Sequence, residues 1–235
     1  MDSHRFDLPF GVRLRVQSRS GRVHVIAEER EDVQAETDAL EWRGEDDGAA
    51  LLVRSARGGS KPITVRCPVD TDVIVGTQSG SVRLEGKLGD VSVTTMSGSI
   101  EVDDAGDADL RTMSGKVALG TCRGRCRISA VSGTVTGGDA DSVYVQTISG
   151  NIAFKRVFGD VRVRSVSGSV DVMALGDGAI AVKTVSGKVR IAVPEGTAPK
   201  MAIKTRGKVF CECEEGSDCR LDATSMSGTI EVVEA

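Results

Sequence analysis

The chain has 235 residues, 40% of them apolar, which is enough to bury a sizeable core in one or two domains. Aromatics make up only 3%, so Val, Ile, Leu, Met and Ala must fill that core, and a net charge of −4 argues against a nucleic-acid binder. The opening MDSHRFDLPFGVRLRV lacks a basic stretch followed by an apolar one, and no apolar run approaches the roughly 18 residues of a membrane span. A cytoplasmic location is therefore expected, with association to the cell envelope as the alternative.

Strand-like stretches come first at VRLRV (12–16), RVHVI (22–26), DVQAE (32–36), ALLVR (50–54) and ITVRC (63–67). A Ser-Gly turn at Gly21 is followed by the next such turn 59 residues later, at Gly80. Residues 1–75 are read as irregular coils that cap a stack, since terminal repeats differ from internal ones. A separate small β domain is the alternative.

From residue 76 to 235 a strand-turn-strand phrase recurs, as in TTMSGSIEV (94–102) and KTVSGKVRI (183–191). The turn glycines are Gly80, Gly98, Gly115, Gly133, Gly150, Gly168, Gly187, Gly207 and Gly228, at intervals of 18, 17, 18, 17, 18, 19, 20 and 21 residues. Two after each glycine stands an apolar residue, from Val82 and Ile100 to Val209 and Ile230. Four after stand, among others, Leu84, Gly137, Phe154, Cys211 and Val232. Five before stand Val75, Val93 and their successors, ending in Ala202 and Ala223. Apolar columns with polar residues between them are the alternation of half-buried strands. Neither strand of one coil can bury its face alone, so coil must stack on coil. The predicted fold is all-β: a single-stranded β-solenoid (β-helix) of about 17–21 residues per coil, right-handed by strand twist. The glycine gives a corner that a Cβ would strain and lets successive corners approach; the serine bonds backbone groups at the corner.

The phrases GDVSVTTMSGSIEV (89–102) and GDVRVRSVSGSVDV (159–172) resemble the repeat of the DUF4097 family, often labelled "putative adhesin". RVQSRSGRVHVIAEER (15–30) is similar to that family's N-terminal stretch. The resemblance implies a β-solenoid and, for some members, a bacterial envelope-stress context. It is nearly silent on activity.

Candidate chemistry is sparse. Cys122 and Cys126 form one group and Cys211, Cys213 and Cys219 another, about five coils away, so the two cannot share a zinc ion. They are read as small packing residues, with an in-coil disulfide or a redox role for Cys213 or Cys219 as alternatives. Asp90, Asp107, Asp139, Asp160 and Asp177 recur on the second corner and are read as bonding their own turns. A calcium-binding β-roll adhesin is the competing reading. A Ser/Thr column three before the glycine, Thr77 to Ser225, is read as bonding along the corner rather than as an exposed hydroxyl array. Arg111, Arg127, Arg162, Arg164 and Lys183 align as a basic stripe. His4 and His24 have no partner constellation, and phosphate-loop, nucleophile-elbow and dinucleotide motifs are lacking, so no catalytic residue, cofactor or metal is expected.

The expected function is a non-catalytic scaffold or binding module for an unidentified protein or envelope component. Its expected contact face is the smooth outward patch of Thr134, Thr136, Asn151, Ala153 and Ser169. Ile230 and Val232 are expected at an open C-terminal end where two chains meet as a homodimer, or end to end as a filament.

Overall fold

The structure is a computed structural model and describes residues 2–7, 13–37, 40–44, 50–55 and 61–234. The described residues form 21 strands and no helix. They fall into two compact units, residues 1–120 and 121–235.

The first unit contains β1 (Asp2–Asp7), β2 (Arg13–Ser18), β3 (Val23–Glu28), β4 (Asp32–Thr37), β5 (Leu40–Gly44) and β6 (Ala50–Ser55). It continues with β7 (Ile63–Pro68), β8 (Val73–Thr77), β9 (Val82–Lys87), β10 (Val91–Thr95), β11 (Ile100–Ala105) and β12 (Ala108–Ser114). Each coil gives one strand to each of two parallel ladders. Before the Ser-Gly corner the ladder runs β6–β2–β8–β10–β12. After it the ladder runs β7–β3–β9–β11. The first coil in sequence thus lies second in space, slotted between residues 50–68 and residues 73–87. The corners agree: a Cβ on Gly21 would meet the Lys61 carbonyl oxygen, and one on Gly80 would meet that of Gly21. Beyond β6 and β7 the chain adds antiparallel strands, β5 on β6, β4 on β7 and β1 on β4. They occupy the edge that parallel stacking would leave with unpaired N–H and C=O groups.

The second unit holds most of β13 (Val117–Ser132), then β14 (Val135–Ser149), β15 (Ile152–Val157), β16 (Val161–Ser167), β17 (Val170–Ala174) and β18 (Ile180–Val193). β19 (Lys200–Thr205), β20 (Val209–Cys211) and β21 (Arg220–Glu234) complete it. Its pre-corner ladder runs β14–β16–β18–β21–β19, and its post-corner ladder β14–β15–β17–β18–β21–β20. Stack order is again not chain order: β21, last in sequence, lies between β18 and the β19/β20 coil.

That inversion has a physical reason. β21 carries Leu221, Ala223, Ile230 and Val232, all fully buried. The β19/β20 coil offers Met201, Ile203, Val209 and Cys211 amid Lys200, Lys204 and Lys208. An interior place buries both sides of a rung, and each fully buried aliphatic is worth about 1.5–3 kcal/mol. The weaker, more charged rung therefore takes the edge. The jump over one rung uses the longer Pro194–Pro199 segment, where Gly196 adopts φ +77°.

The predicted columns form the core. Val82, Ile100, Val117, Val135, Ile152, Val170, Val189 and Ile230 are all buried. Val209, in the same column, is 45% exposed because its coil is at the edge. One register differs from expectation. Ile203, not Ala202, pairs with Ala223, and Met201 pairs with Leu221. The corner there is Thr205-Arg206-Gly207, one residue shorter than Ser225-Met226-Ser227-Gly228. One pair of rungs also trades volume. A Cβ on Gly137 would lie 2.1 Å from the Phe154 ring, so the missing side chain makes room for the one large aromatic in that column.

Candidate functional site

Seven of the corners begin with a buried hydroxyl, and the Gly133 corner with buried Ala130. Thr77, Thr95, Thr112, Thr147, Ser165, Thr184 and Ser225 are all at most 7% exposed, so no hydroxyl array faces solvent. Ser165, Thr184 and Ser225 donate to the carbonyl oxygens of Ser167, Ser186 and Ser227 at 3.1, 3.2 and 3.1 Å. Thr77 accepts the Gly80 N–H instead, at 3.1 Å. Turning this hydroxyl inward forces the next residue outward.

That next residue is apolar in coil after coil. Met96 and Met113 are exposed in the first unit; Val131, Ile148, Val166, Val185 and Met226 are exposed in the second, Ile148 at 54% and Met226 at 58%. In the second unit they occupy successive rungs, since Gly133, Gly150, Gly168, Gly187 and Gly228 stack corner on corner. Isolated surface apolars are ordinary, whereas a contiguous apolar row is the kind of feature that marks interaction sites. Sequence reasoning missed this row by tracking only inward columns. Its signal was an apolar column two before the glycine, out of step with the alternation at five and seven before.

Two residues earlier, on the same outward face, lie the cations. Arg164 precedes Val166 and Lys183 precedes Val185, and the two cations are opposite each other across β16 and β18. Neither has an ion-pair partner among the described residues. The other members of the basic stripe are engaged. Arg111 holds Asp109 through two bonds of 3.1 and 2.8 Å, Arg162 lies 3.5 Å from Asp160, and Arg127 sits 5.2 Å above the Tyr144 ring. The stripe thus keeps two free cations beside the apolar row.

The expected contact face assembles on the other ladder. Thr134, Asn151 and Ala153 are exposed, Thr136 and Ser169 half-buried, and Thr136 lies opposite Ala153. Asn151 Oδ1 accepts from the Ser169 N–H at 3.2 Å and from its hydroxyl at 2.8 Å, so these polar groups satisfy each other. Ile230 and Val232 stand elsewhere than expected. They are buried between Val189 and Ile191 on one side and Val209 and Cys211 on the other. The uncovered rung is β19/β20, where Phe210 is 53% exposed.

Three aspartates of the second corners bond from coil to coil. Asp72 accepts the Asp90 N–H at 2.9 Å, Asp90 that of Asp107 at 3.2 Å, and Asp160 that of Ala179 at 2.9 Å. Asp139 holds the Arg156 guanidinium. Among the described residues no three His, Cys, Asp or Glu side chains are grouped to hold a metal. His4 lies in β1, whose side chains are outside the described set. His24 Nε2 is 2.9 Å from Glu85, whose carboxyl is held below its usual range chiefly by that contact. All six cysteines are free thiols. Burial raises Cys67 to about 11. Cys213 also rises to about 11, through burial and then the neighbouring Cys211 and Glu234. So raised, Cys67 and Cys213 are poor nucleophiles at neutral pH.

The profile of the Toastrack DUF4097 family matches residues 53–235. The chain belongs to that family. The Toastrack match begins inside β6, so it omits β2 and β3, the coil slotted between β6/β7 and β8/β9. No curated protein matches this Toastrack chain. Among solved structures it is similar to a "putative adhesin" from Parabacteroides distasonis, at 11% identity and TM-score 0.40, covering 100% of this chain and 96% of that one. A "putative adhesin" from Bacteroides fragilis is similar at 13% identity and TM-score 0.40, covering 100% and 96%. A "putative cell adhesion protein" from Clostridium sporogenes is similar at 10% identity and TM-score 0.22, covering 100% and 99%. No helix among the described residues is long and apolar enough to cross a membrane.

Proposed function

We propose that this Toastrack chain is a non-catalytic binding scaffold of the bacterial envelope that grips a protein partner along its apolar corner. The observation that carries this reading is the row Val131, Ile148, Val166, Val185 and Met226, held outward on five successive rungs. At about 4.8 Å per rung the row is roughly 20 Å long. It suits an extended or helical segment with apolar residues along one side. Arg164 and Lys183 give that partner an acidic flank, since unpaired cations beside an apolar contact favour opposite charge. The patch of Thr134, Thr136, Asn151, Ala153 and Ser169 is a second, weaker contact face.

A photo-crosslinking residue placed at Ile148 in bacterial cells tests the reading. One dominant protein adduct is expected, lost in Arg164→Glu/Lys183→Glu. Adducts from Asn151 but not from Ile148 would move the contact to the other face, and adducts from neither would reject a binding role.

In this reading the coils wind right-handed, residues 1–75 close the open edge of the first unit, and residues 76–235 supply the repeats. A homodimer is proposed at the edge of the second unit, through the outer side of β19 and β20 in place of Ile230 and Val232. Antiparallel pairing of two β19 strands would set Arg206 and Lys208 of each copy beside the acidic segment Glu214–Asp218 of the other. That segment lies at the N-terminal end of β19, where Lys200 N–H donates to the Cys219 carbonyl. The amides of Lys200–Thr205 should then gain protection from hydrogen exchange as concentration rises. Concentration-independent exchange rejects the dimer and, with it, end-to-end filaments.

A further inference from the structure

The exposed end of residues 121–235 is chemically unlike the rungs beneath it. Its pre-corner strand puts Met201 in the column held by Ile180 and Leu221. Its post-corner strand puts Cys211 in the column held by Ile191 and Val232. Cys211 Sγ lies 3.5 Å from Met201 Sδ across the two ladders and 3.5 Å from the Cys213 carbonyl oxygen. Cys213 follows two residues after Cys211, near enough for the Cys211 thiol to help raise its pKa. Two thiols and a thioether therefore converge at the open end, with Cys211 exposed and Met201 and Cys213 half-buried. No further strand covers them among the described residues.

We propose that Met201, Cys211 and Cys213 form a binding site for a soft monovalent metal ion, Cu(I). Thiolate and thioether donors select Cu(I) over harder cations, and Cu(I) accepts two or three sulfur ligands where zinc requires four donors in a tetrahedron. The 3.5 Å separation of Cys211 Sγ and Met201 Sδ suits a single ion shared between them. Binding transfers no electrons. Cu(I) enters as such, the Cys211 and Cys213 S–H bonds break, two protons pass to solvent, and two Cu–S bonds form beside the thioether contact. Glu212 and Glu234, close to Cys213, make the surroundings anionic and favour a cation. Packing alone does not account for the choice of residues, because a half-exposed end gains little from sulfur over the Val and Ile used in the same columns elsewhere.

The test is an anaerobic titration of the full chain with Cu(I) held by bicinchoninate, the protein competing for the ion. One Cu(I) per chain is expected. Cys211→Ser/Cys213→Ser should lose affinity about a hundredfold or more, and Met201→Leu about tenfold, the range over which metal sites respond to altered ligand surroundings. The buried pair serves as the control: Cys122→Ser/Cys126→Ser should bind as wild type does. X-ray absorption should show an all-sulfur shell. Affinity unchanged in Cys211→Ser/Cys213→Ser, loss confined to the Cys122/Cys126 variant, or a shell dominated by nitrogen and oxygen would each overturn the proposal. Because every variant is compared by thermal melting without metal, an unfolded variant is recognised as such, and Met201→Leu alone then decides.

Discussion

Val117→Asp is expected to lower stability by about 4 kcal/mol or more, while Lys116→Asp, one residue away, changes it by less than about 0.5 kcal/mol. Val117 is fully buried in the column two after the corner glycine, and Lys116, the residue just before the strand, is exposed. A carboxylate at 117 has only aliphatic neighbours in its column and must either protonate or pull water into the stack. Denaturant unfolding followed by circular dichroism checks this. Equal effects from the two substitutions would mean that the inward and outward registers are interchanged.

Gly168→Ala is expected to cost about 3 kcal/mol or more, by a different mechanism. Gly168 sits at φ +121°, and a Cβ there would lie 2.0 Å from the Gly150 carbonyl oxygen of the neighbouring rung. The strain of positive φ in a residue with a side chain is about 1–3 kcal/mol by itself. The backbone clash adds to it, because the facing atom is a carbonyl fixed in its own corner. Ser167→Ala, its neighbour, loses only a 3.4 Å bond to the Ile148 carbonyl and should cost about 0.5–1 kcal/mol. A thermal melt in which Gly168→Ala behaves like Ser167→Ala would remove the close-corner account.

The inward columns were legible because a stack of near-identical coils writes the same constraint many times. Ile152, Val170 and Val189 each lie between two aliphatics of the same column, so periodicity alone finds them. The corner glycines were legible for the same reason, and their function, admitting a carbonyl from the next rung, follows from the missing Cβ. Stack order was not legible. Periodicity says which residues share a column but not which coil lies next to which, and β2/β3 and β21 are both displaced by one rung. The 59-residue gap before Gly80 and the intervals of 20 and 21 near the end were its only traces.

The proposed binding surface was half visible. Arg164 and Lys183 were singled out as part of a basic stripe, but Ile148, Val166 and Val185 were passed over. An apolar residue in a strand is ordinarily read as core, and the buried hydroxyls of Thr147, Ser165 and Thr184 are what turn these side chains out. The polar face around Asn151 was legible as outward, though not that Asn151 and Ser169 satisfy each other.

Hydrogen exchange resolved along the chain tests the stacked arrangement most directly, because chain order and stack order make opposite forecasts at the C-terminal end. With β21 paired on both sides, the amides of Leu221–Val232 should exchange far more slowly than those of Lys200–Thr205 and Val209–Cys211, although they lie closer to the terminus. Fast exchange across Leu221–Val232 with protection of Lys200–Cys211 would place the last strand at the edge and contradict the structure described above.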